Sequence, residues 1–351
     1  MKNLSIINKF LFLINYLFLI GQLLSYLAPF INPNVFWPIS FFGLLFPVFI
    51  IINILFIIFW LIVVKKPVLT NIAVLLIGIN SISLYISNAK NDNVNIQESF
   101  SIMSYNVRLF NAYEWIKDKN IENQILDFFD YIDSDILCIQ EFYAPDKLPE
   151  LNYNFRHIGL QNRRSQWHMA IYSKFPQISK GTVSIKGEKM NNTCIYSDMV
   201  IKEDTIRVYN VHLASNWFDK TDLAFIEKPG INKEALKKGI FSITKRLKKS
   251  FKKRAVQVEV IKKHINTSPY PVIICGDFND TPNSFSYNKL SKNLEDSFLQ
   301  KGNGIGSTFL GKIPFLRIDY ILHSSYFSTT KFTIHQNKLS DHRAIESSFI
   351  H

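Results

Sequence analysis

A carboxylate and an amide two residues apart follow the apolar run at Val272–Cys275, in the string VIICGDFNDTP that ends at Pro282. The four apolar residues read as a short buried strand. Gly276 frees the backbone and Pro282 stops further pairing, so the polar residues fall in a turn at the strand's end. Asp277 and Asn279 are therefore expected on a rigid support, where one group could orient a water and the other could hold an oxyanion. The same string also suits an ordinary polar corner, and short motifs match by chance. The rest of the chain has to decide between the two.

Other polar residues recur in the same kind of place. Phe100–Val107 reads as a strand with Asn106 near its end and Arg108 directly after it. Asn106 alone suits a turn as well as a metal. Ile121–Ile132 places Ile121, Ile125, Phe128, Phe129 and Ile132 at helical spacing, an amphipathic helix. Asp135–Gln140 is a buried strand, and Glu141 follows at once. Met169–Tyr172 and Thr193–Val200 are further strands, and Thr205–Val211 is another with His212 at its end. Arg317–Leu322 carries Asp319 inside a strand-like run, where a carboxylate is costly to bury unless paired. Asp341 and His342 stand side by side on a loop before a last strand, Ala344–Ile350. A lone histidine is more often structural than functional. Here two of them join a series of acids and amides at successive strand ends.

The strings SYNVR, DILCIQE, NVHL, GDFND with Pro282, RIDYIL and SDH, in this order from about Phe100 to the C-terminus, resemble the endonuclease/exonuclease/phosphatase superfamily. That group includes deoxyribonuclease I, abasic-site endonucleases, neutral sphingomyelinases and inositol-phosphate 5-phosphatases. The resemblance implies a four-layer α/β sandwich, two mixed β-sheets face to face with helices outside. It implies that Asn106 and Glu141 hold Mg²⁺ or Mn²⁺, with Asp341 a further carboxylate beside the metal. Asp277 is expected to activate the attacking water and Asn279 to meet the phosphate. His342 is expected to act with Asp319, and His212 to contact phosphate or protonate the leaving group. Arg108 either reaches a phosphate or makes a surface ion pair. Hard cations take oxygen ligands, which suits this set. The sequence departs from many relatives before the Met169 strand, where Trp167-His168 stands in place of a Gly-Gly pair. Gln166 is the nearest residue to a supporting acid for His212, whose partner is left open, and His168 reads as an edge residue.

The elements that carry these groups begin only after residue 90. Met1–Lys90 contains no Asp or Glu, and its only charges are Lys2, Lys9, Lys65, Lys66 and Lys90. Three apolar runs, Phe10–Phe30, Phe41–Val64 and Val68–Ile86, are each near the length that spans a bilayer. The expectation is a segment 1–86 with three transmembrane helices, a polar linker over 87–99, and a catalytic domain over 100–351. Three spans, with the lysines of the first segment and the second loop kept inside, place the domain outside the cytoplasm in the plasma or inner membrane. No charge lies within the apolar runs, which argues against a transporter or channel.

The domain itself, 91–351, has 35 basic and 28 acidic residues, net +7. Lys233–Lys263 holds twelve of the basic residues and two acids, net +10, which leaves the rest of the domain at −3. Its apolar residues recur at steps of three and four, an amphipathic helix with a basic face. That face is either solvated, or binds a phosphate-rich substrate, or rests on anionic lipid. Cys138 and Cys275 read as buried thiols and Cys194 is unplaced, which is not a disulfide framework. The expected function is metal-dependent phosphodiester hydrolysis of a nuclease-like kind on a membrane anchor. A lipid-headgroup phosphodiesterase and a non-catalytic phospho-ligand module are the alternatives. Substrate partners are nucleic acid or a phospholipid headgroup, and no protein partner is inferable.

Overall fold

The structure, a computed structural model, describes residues 5–63, 66–89, 99–143, 149–159, 168–187, 193–216, 220–227, 232–311 and 315–351. Lys2, Lys65, Gln166, Trp167 and residues 90–98 of the expected linker lie outside the described residues. The chain forms two compact units, one of Met1–Tyr85 with Asp280–Asn288 and one of Ile86–Asn279 with Lys289–His351.

The first unit is helical: α1 (Ile6–Ser25), α2 (Pro33–Phe36), α3 (Pro38–Leu44), α4 (Phe46–Val63), α5 (Lys66–Ile77) and α6 (Ile79–Ser83). Among the described residues only α1 and α4 are long and apolar enough to cross a bilayer, which corrects the expected three spans to two candidates. The third run breaks at Gly78, where the ring of Tyr26 sits within 2.2 Å of where a Cβ would lie. Its remainder is a five-residue helix containing Asn80, Ser81 and Ser83. With two long helices instead of three, the parity argument for an extracytoplasmic domain no longer stands.

This unit buries amides among its apolar side chains and exposes many apolar residues. Asn15, Gln22, Asn53 and Asn71 are buried, while Phe10, Leu17, Ile51, Leu55, Ile62 and Leu69 are exposed. Asn53 Nδ2 donates to Gln22 Oε1 at 2.7 Å, Gln22 Nε2 to Tyr26 Oη at 2.6 Å, and Tyr26 Oη to the Val74 carbonyl at 2.9 Å. Helices α1, α4 and α5 are thus joined by hydrogen bonds where an aqueous bundle would place leucine.

The second unit begins with β1 (Ile86–Asn88) where the sequence suggests linker, and continues through β2 (Phe100–Asn106), α7 (Ile121–Ile132), β3 (Ile136–Phe142), β4 (Phe155–Ile158), β5 (His168–Ser173), β6 (Gln177–Thr182), β7 (Cys194–Ile201) and β8 (Asp204–His212). After α8 (Lys220–Glu227) and α9 (Lys233–Ile265) come β9 (Val272–Asp277), α10 (Phe285–Ser291), β10 (Glu295–Asp296), α11 (Ser297–Lys301), β11 (Asn303–Ile305), β12 (Asp319–His323), β13 (Ser328–Ile334) and β14 (Ile345–Ile350). Helix α10 starts in the first unit and ends in the second.

Two six-stranded sheets, β10-β12-β9-β8-β7-β6 and β13-β14-β2-β3-β5-β4, form the sandwich, and β1 pairs with β11 apart from them. Both are mixed, since β2–β3 and β8–β9 are parallel and the other pairs antiparallel. Alternate residues of a strand face opposite ways. Ile102, Ile136, Cys138 and Ile171 accordingly meet Ile195, Val208, Ile273 and Cys275 in the core between the sheets. Met103, Tyr105, Leu137 and Ile139 turn outward onto Ile121, Ile125 and Phe129 of α7. On the other outer face, the buried side of α9 runs through Leu247, Phe251, Ala255, Val258 and Ile261. Tyr209 on β8 and His264 on α9 are joined by a 2.9 Å hydrogen bond. Burial on both faces is why these strands read as unbroken apolar runs.

The parallel pairs bring chemistry to one end. Asn106 stands opposite Gln140 at the C-terminal ends of β2 and β3, and His212 opposite Asp277 at those of β8 and β9. Antiparallel β12 enters at the same place, with Asp319 opposite Asp277. Gly276 is what lets β9 arrive. Its φ of 142° is closed to other residues, and a Cβ there would lie 1.8 Å from the Val211 carbonyl oxygen. Gly276→Ala should therefore destabilise the sandwich by about 3 kcal/mol or more. The readout is a lower apparent melting temperature of the full chain; an unchanged one would contradict this account.

Candidate active site

Asp277 is held before any substrate arrives. Its Oδ1 accepts the Asn279 backbone N–H at 2.8 Å, and its Oδ2 accepts Asn106 Nδ2 and Asn279 Nδ2, each at 3.0 Å. Asn279 can make these bonds because its φ is 51°, a left-handed turn that asparagine tolerates better than most residues. Its Nδ2 also donates to the Leu213 carbonyl at 3.1 Å. The amide is thus occupied in fixing Asp277, and a phosphate contact would have to replace one of these bonds. Burial pushes the Asp277 carboxyl up to about 7, with Asp319 adding to the rise, while His342 and the bonds from Asn279 and Asn106 oppose it.

The two histidines are in opposite states. His342 lies in a loop bridged to Phe309, and its Nδ1 meets both oxygens of Asp319 at 3.1 and 3.0 Å. Burial alone would lower its pKa, but Asp319, Asp277 and Asp341 outweigh burial and raise it well above the usual value. Its Nδ1 proton faces Asp319, and Nε2 lies 3.7 Å from Asp277 Oδ2. Thr308 Oγ1 accepts the N–H groups of Ile318 and Asp319 and so sets the start of β12. His212 is instead pushed down to about 3 by burial, with the positive charges of His342 and Lys253 adding. It is neutral at pH 7. Its Nε2 lies 3.7 Å from both Glu141 Oε1 and Asp277 Oδ2. It finds no hydrogen-bond partner among the described residues.

Glu141 sits at an irregularity of the β3–β5 ladder, with φ 50°. A bulge of this kind re-aims a side chain. Burial pushes its carboxyl up to about 7, and the negative charge of Asp341 adds to the rise; His342, Asn106 and Arg108 oppose it. Arg108 Nε lies 3.3 Å from Asp341 Oδ2, and its guanidinium is 4.4 Å from the Trp115 ring centre. Arg108 begins four successive residues with φ between 46° and 61°, ending at Asn111, whose side chain bonds the backbone of Ile116.

The expected metal set fits a hard divalent cation. Glu141 and Asp341 are carboxylates whose mutual repulsion a cation would relieve, Asn106 adds an amide oxygen, and the three thiols are buried and free. A tighter triad, Asp277, Asp319 and His342, brings its donor atoms within 4.8 Å of one another. In that triad, however, His342 Nδ1 is bonded to Asp319, the geometry of a proton-holding pair more than of a ligand set.

The structure therefore bonds Asp277 to Asn279 and Asn106 and Asp319 to His342, brings His342 Nε2 within 3.7 Å of Asp277, sets His212 and Glu141 beside them, and links Asp341 to Arg108. His168 is buried at the start of β5 opposite Phe142, inside the sheet and not at its edge. Sequence reasoning missed Gln140, Asn210, Thr308 and Ser340. Gln140 Nε2 donates to Asn210 Oδ1 at 2.7 Å, and Asn210 Nδ2 donates to the carbonyls of Ile139 and Ala170 at 2.9 Å, tying the two sheets together. Ser340 Oγ donates to the Asn106 carbonyl at 2.8 Å. The signal available was an amide inside each apolar run, DILCIQ and VYNV.

Residues 103–342 match the model of the Endonuclease/Exonuclease/phosphatase family. The chain belongs to that family. Membership makes it a hydrolase of phosphate esters. Residues 8–85 match a Domain of unknown function (DUF8431). No curated protein matches the chain. Among solved structures it is similar to a mannosyl-6-phosphatase of Bacteroides thetaiotaomicron VPI-5482, at 16% identity and a TM-score of 0.52, over 72% of this chain and 100% of that one. An endonuclease/exonuclease/phosphatase family protein from Bacteroides thetaiotaomicron matches at 16% identity and 0.51, over 72% and 95%. A humanized D. rerio TDP2 with 14 mutations matches at 14% and 0.51, over 72% and 100%. At these identities the likeness shows the fold, two mixed sheets flanked by helices.

The family assignment leaves the protonation of its histidines to be read from this chain. His342 should remain protonated through neutral pH, losing its proton only well above the usual histidine range. Asp319→Asn removes the largest raising influence, and burial should then leave His342 neutral at pH 7. A ¹⁵N-histidine NMR titration of the full chain reads both states. An unchanged His342 titration in the variant would contradict the pairing.

Proposed function

We propose that the chain hydrolyses a phosphate ester by in-line attack of water, with Mg²⁺ or Mn²⁺ at Glu141, Asn106 and Asp341. The observation that carries this is the fixed Asp277 carboxylate, lifted to about 7 by burial and bonded by Asn106 and Asn279. A base poised near the operating pH is the efficient one. Asp277 takes the proton of the attacking water. His342, kept cationic by Asp319, meets the negative oxygens of phosphorus as charge builds. His212 offers its neutral ring between Glu141 and Asp277; with a pKa about 3 it suits a phosphate contact better than an acid role. The cation, when bound, neutralises charge on the phosphate and can acidify a water. Arg108 is the further phosphate contact. No acid, amide or imidazole of the set is missing, which favours catalysis over a binding module.

The helical unit supports membrane attachment as part of the same proposal. A bundle that buries Asn53 and Gln22 and exposes Ile62 at 82% suits hydrocarbon, not water. The bond from Asn53 to Gln22 gives α1 a partner in α4, which a cleaved leader would lack. The first half of α9 exposes Ile240 at 53% and Phe241 at 69% among its lysines. Apolar residues between cations suit an anionic lipid surface. They favour a lipid-headgroup phosphodiesterase as the second reading beside a nuclease.

Supercoiled DNA, RNA, sphingomyelin-like lipid, inositol phosphates and sugar phosphates, offered to the full chain with and without EDTA, test the activity. Hydrolysis of at least one, lost in EDTA, is expected; hydrolysis of none, together with no binding of either cation, would sink the reading. Asp277→Ala and His342→Ala should each lower kcat by about 10² to 10⁴-fold with folding intact.

Cation affinity gives a separate test. Below about 7 Glu141 carries a proton that the cation must displace; above it there is none to displace. Mn²⁺ affinity should fall by about tenfold per pH unit below 7 and level off above it. Calorimetry at pH 6 in buffers of different ionisation enthalpy should show about one proton released. A pH-independent affinity would remove Glu141 from the ligand set.

A further inference from the structure

Helix α9 buries polar side chains in the face that packs on the sheet. Leu247, Phe251, Ala255, Val258 and Ile261 make that face apolar, but Ser250, Arg254 and Gln257 are buried among them, at 6%, 1% and 1% exposure. Steps of four and three residues set these three one above another on the helix. Burying a guanidinium is costly unless its donors are matched. The match is one short stretch of backbone at the end of β8. Arg254 Nη1 donates to the Ala214 carbonyl at 2.8 Å and to Asn216 Oδ1 at 3.0 Å. Gln257 Oε1 accepts the Ala214 N–H at 2.9 Å, and Ser250 Oγ donates to the Ser215 carbonyl at 2.9 Å. A connecting segment would ordinarily give its backbone groups to water. Here the N–H and the carbonyl of Ala214 both go to α9.

Leu213, just before Ala214, is bonded to the turn that carries Asp277. It donates its N–H to the Asp277 carbonyl at 2.9 Å, and its own carbonyl accepts Asn279 Nδ2 at 3.1 Å. The same Asn279 amide donates to Asp277 Oδ2 at 3.0 Å. Direct bonds therefore run from Arg254 and Gln257 through Ala214 and Leu213 to Asn279 and the Asp277 carboxylate. Every residue of this path lies in the second unit. Asn279 holds φ 51°, a conformation that persists where its surroundings determine it. The Leu213 carbonyl is one of those surroundings, and α9 fixes the residue that follows it.

We infer that Arg254 and Gln257 are positioning residues for the turn at Asp277 and Asn279, acting through Ala214 and Leu213. Helix α9 clamps the end of β8, and the end of β8 holds the amide that orients the base. This accounts for an arginine inside a helix–sheet interface, where an apolar side chain would pack at less cost. The inference rests on the phosphoesterase reading for its effect on catalysis, but the clamp itself does not.

Full-length Arg254→Met and Gln257→Met, each an unbranched side chain without the bonding groups, test it. Each variant should speed amide exchange over 213–216 at least about tenfold while the rest of β8 keeps its protection. Each should lower kcat about tenfold to a hundredfold at unchanged KM and unchanged Mn²⁺ affinity. One nitrogen of Arg254 makes both of its bonds to this segment. Arg254→Lys, whose ammonium has three donors, should therefore bring kcat back to within about threefold of wild type. A loss of packing alone would lower the apparent melting temperature and leave kcat of the folded chain unchanged. Should Arg254→Met fail to fold, Gln257→Met, which removes no charge, carries the same test. Wild-type exchange in the methionine variants, faster exchange with wild-type kcat, or no recovery in Arg254→Lys overturns the inference. If the wild-type chain hydrolyses no phosphate ester, the functional reading fails, and the exchange measurement alone decides whether α9 holds this segment.

Discussion

The central constraint of the structure is negative charge concentrated out of water. Glu141, Asp277, Asp319 and Asp341 converge at one end of the sandwich, and the cationic groups on the page beside them are Arg108 and the imidazolium of His342. Such a cluster is expensive unless its members share protons, accept hydrogen bonds or meet a cation. The three remedies are divided among the residues. Asp319 is matched by His342 at Nδ1. Asp277 accepts three amide bonds. Glu141 is opposed by His342, Asn106 and Arg108, but burial and the charge of Asp341 outweigh them, so its carboxyl rises to about 7.

That cluster exists only because strand registers agree. His212, Asp277 and Asp319 lie across from one another in three neighbouring strands. A slip of one residue in either ladder would turn Asp277 to the outer face, away from Asn106 on the other sheet. Two devices hold the registers. Gly276 permits β9 to pass the Val211 backbone, and Gln140 with Asn210 bonds one sheet to the other just beneath the site. Buried amides that are well bonded specify one packing where an apolar core would tolerate several. The site and the fold therefore share their most demanding residues, which is why so much of the chemistry lies at strand ends.

This sharing also explains what was legible in the sequence. The strands that end at Asn106, Glu141, His212 and Asp277 are apolar on both faces, so each shows as a run closed by one polar residue. α7 was read to the residue because Ile121, Ile125 and Phe129 leave a regular stripe. β6 and β13 were missed because both lie at sheet edges and read QISKGT and STTKFTI, with polar residues out of step with a simple alternation. Thr308 was missed because it acts through a hydroxyl on backbone, which leaves no charge to notice. The third apolar run was overread because composition alone does not show that Gly78 sits against the Tyr26 ring.

The two histidines show how one environment yields two electrostatic outcomes. Both are buried, and burial lowers the pKa of each. His342 has a carboxylate against Nδ1, and in a poorly screened interior a bonded opposite charge outweighs desolvation. His212 has carboxylates only at 3.7 Å, and it lies near the positive His342. The charge on one ring is thus part of what keeps the other neutral. Under the proposed function, such a site would present a fixed cation and a fixed dipole to an incoming phosphate, and neither would have to change its protonation for the substrate to bind.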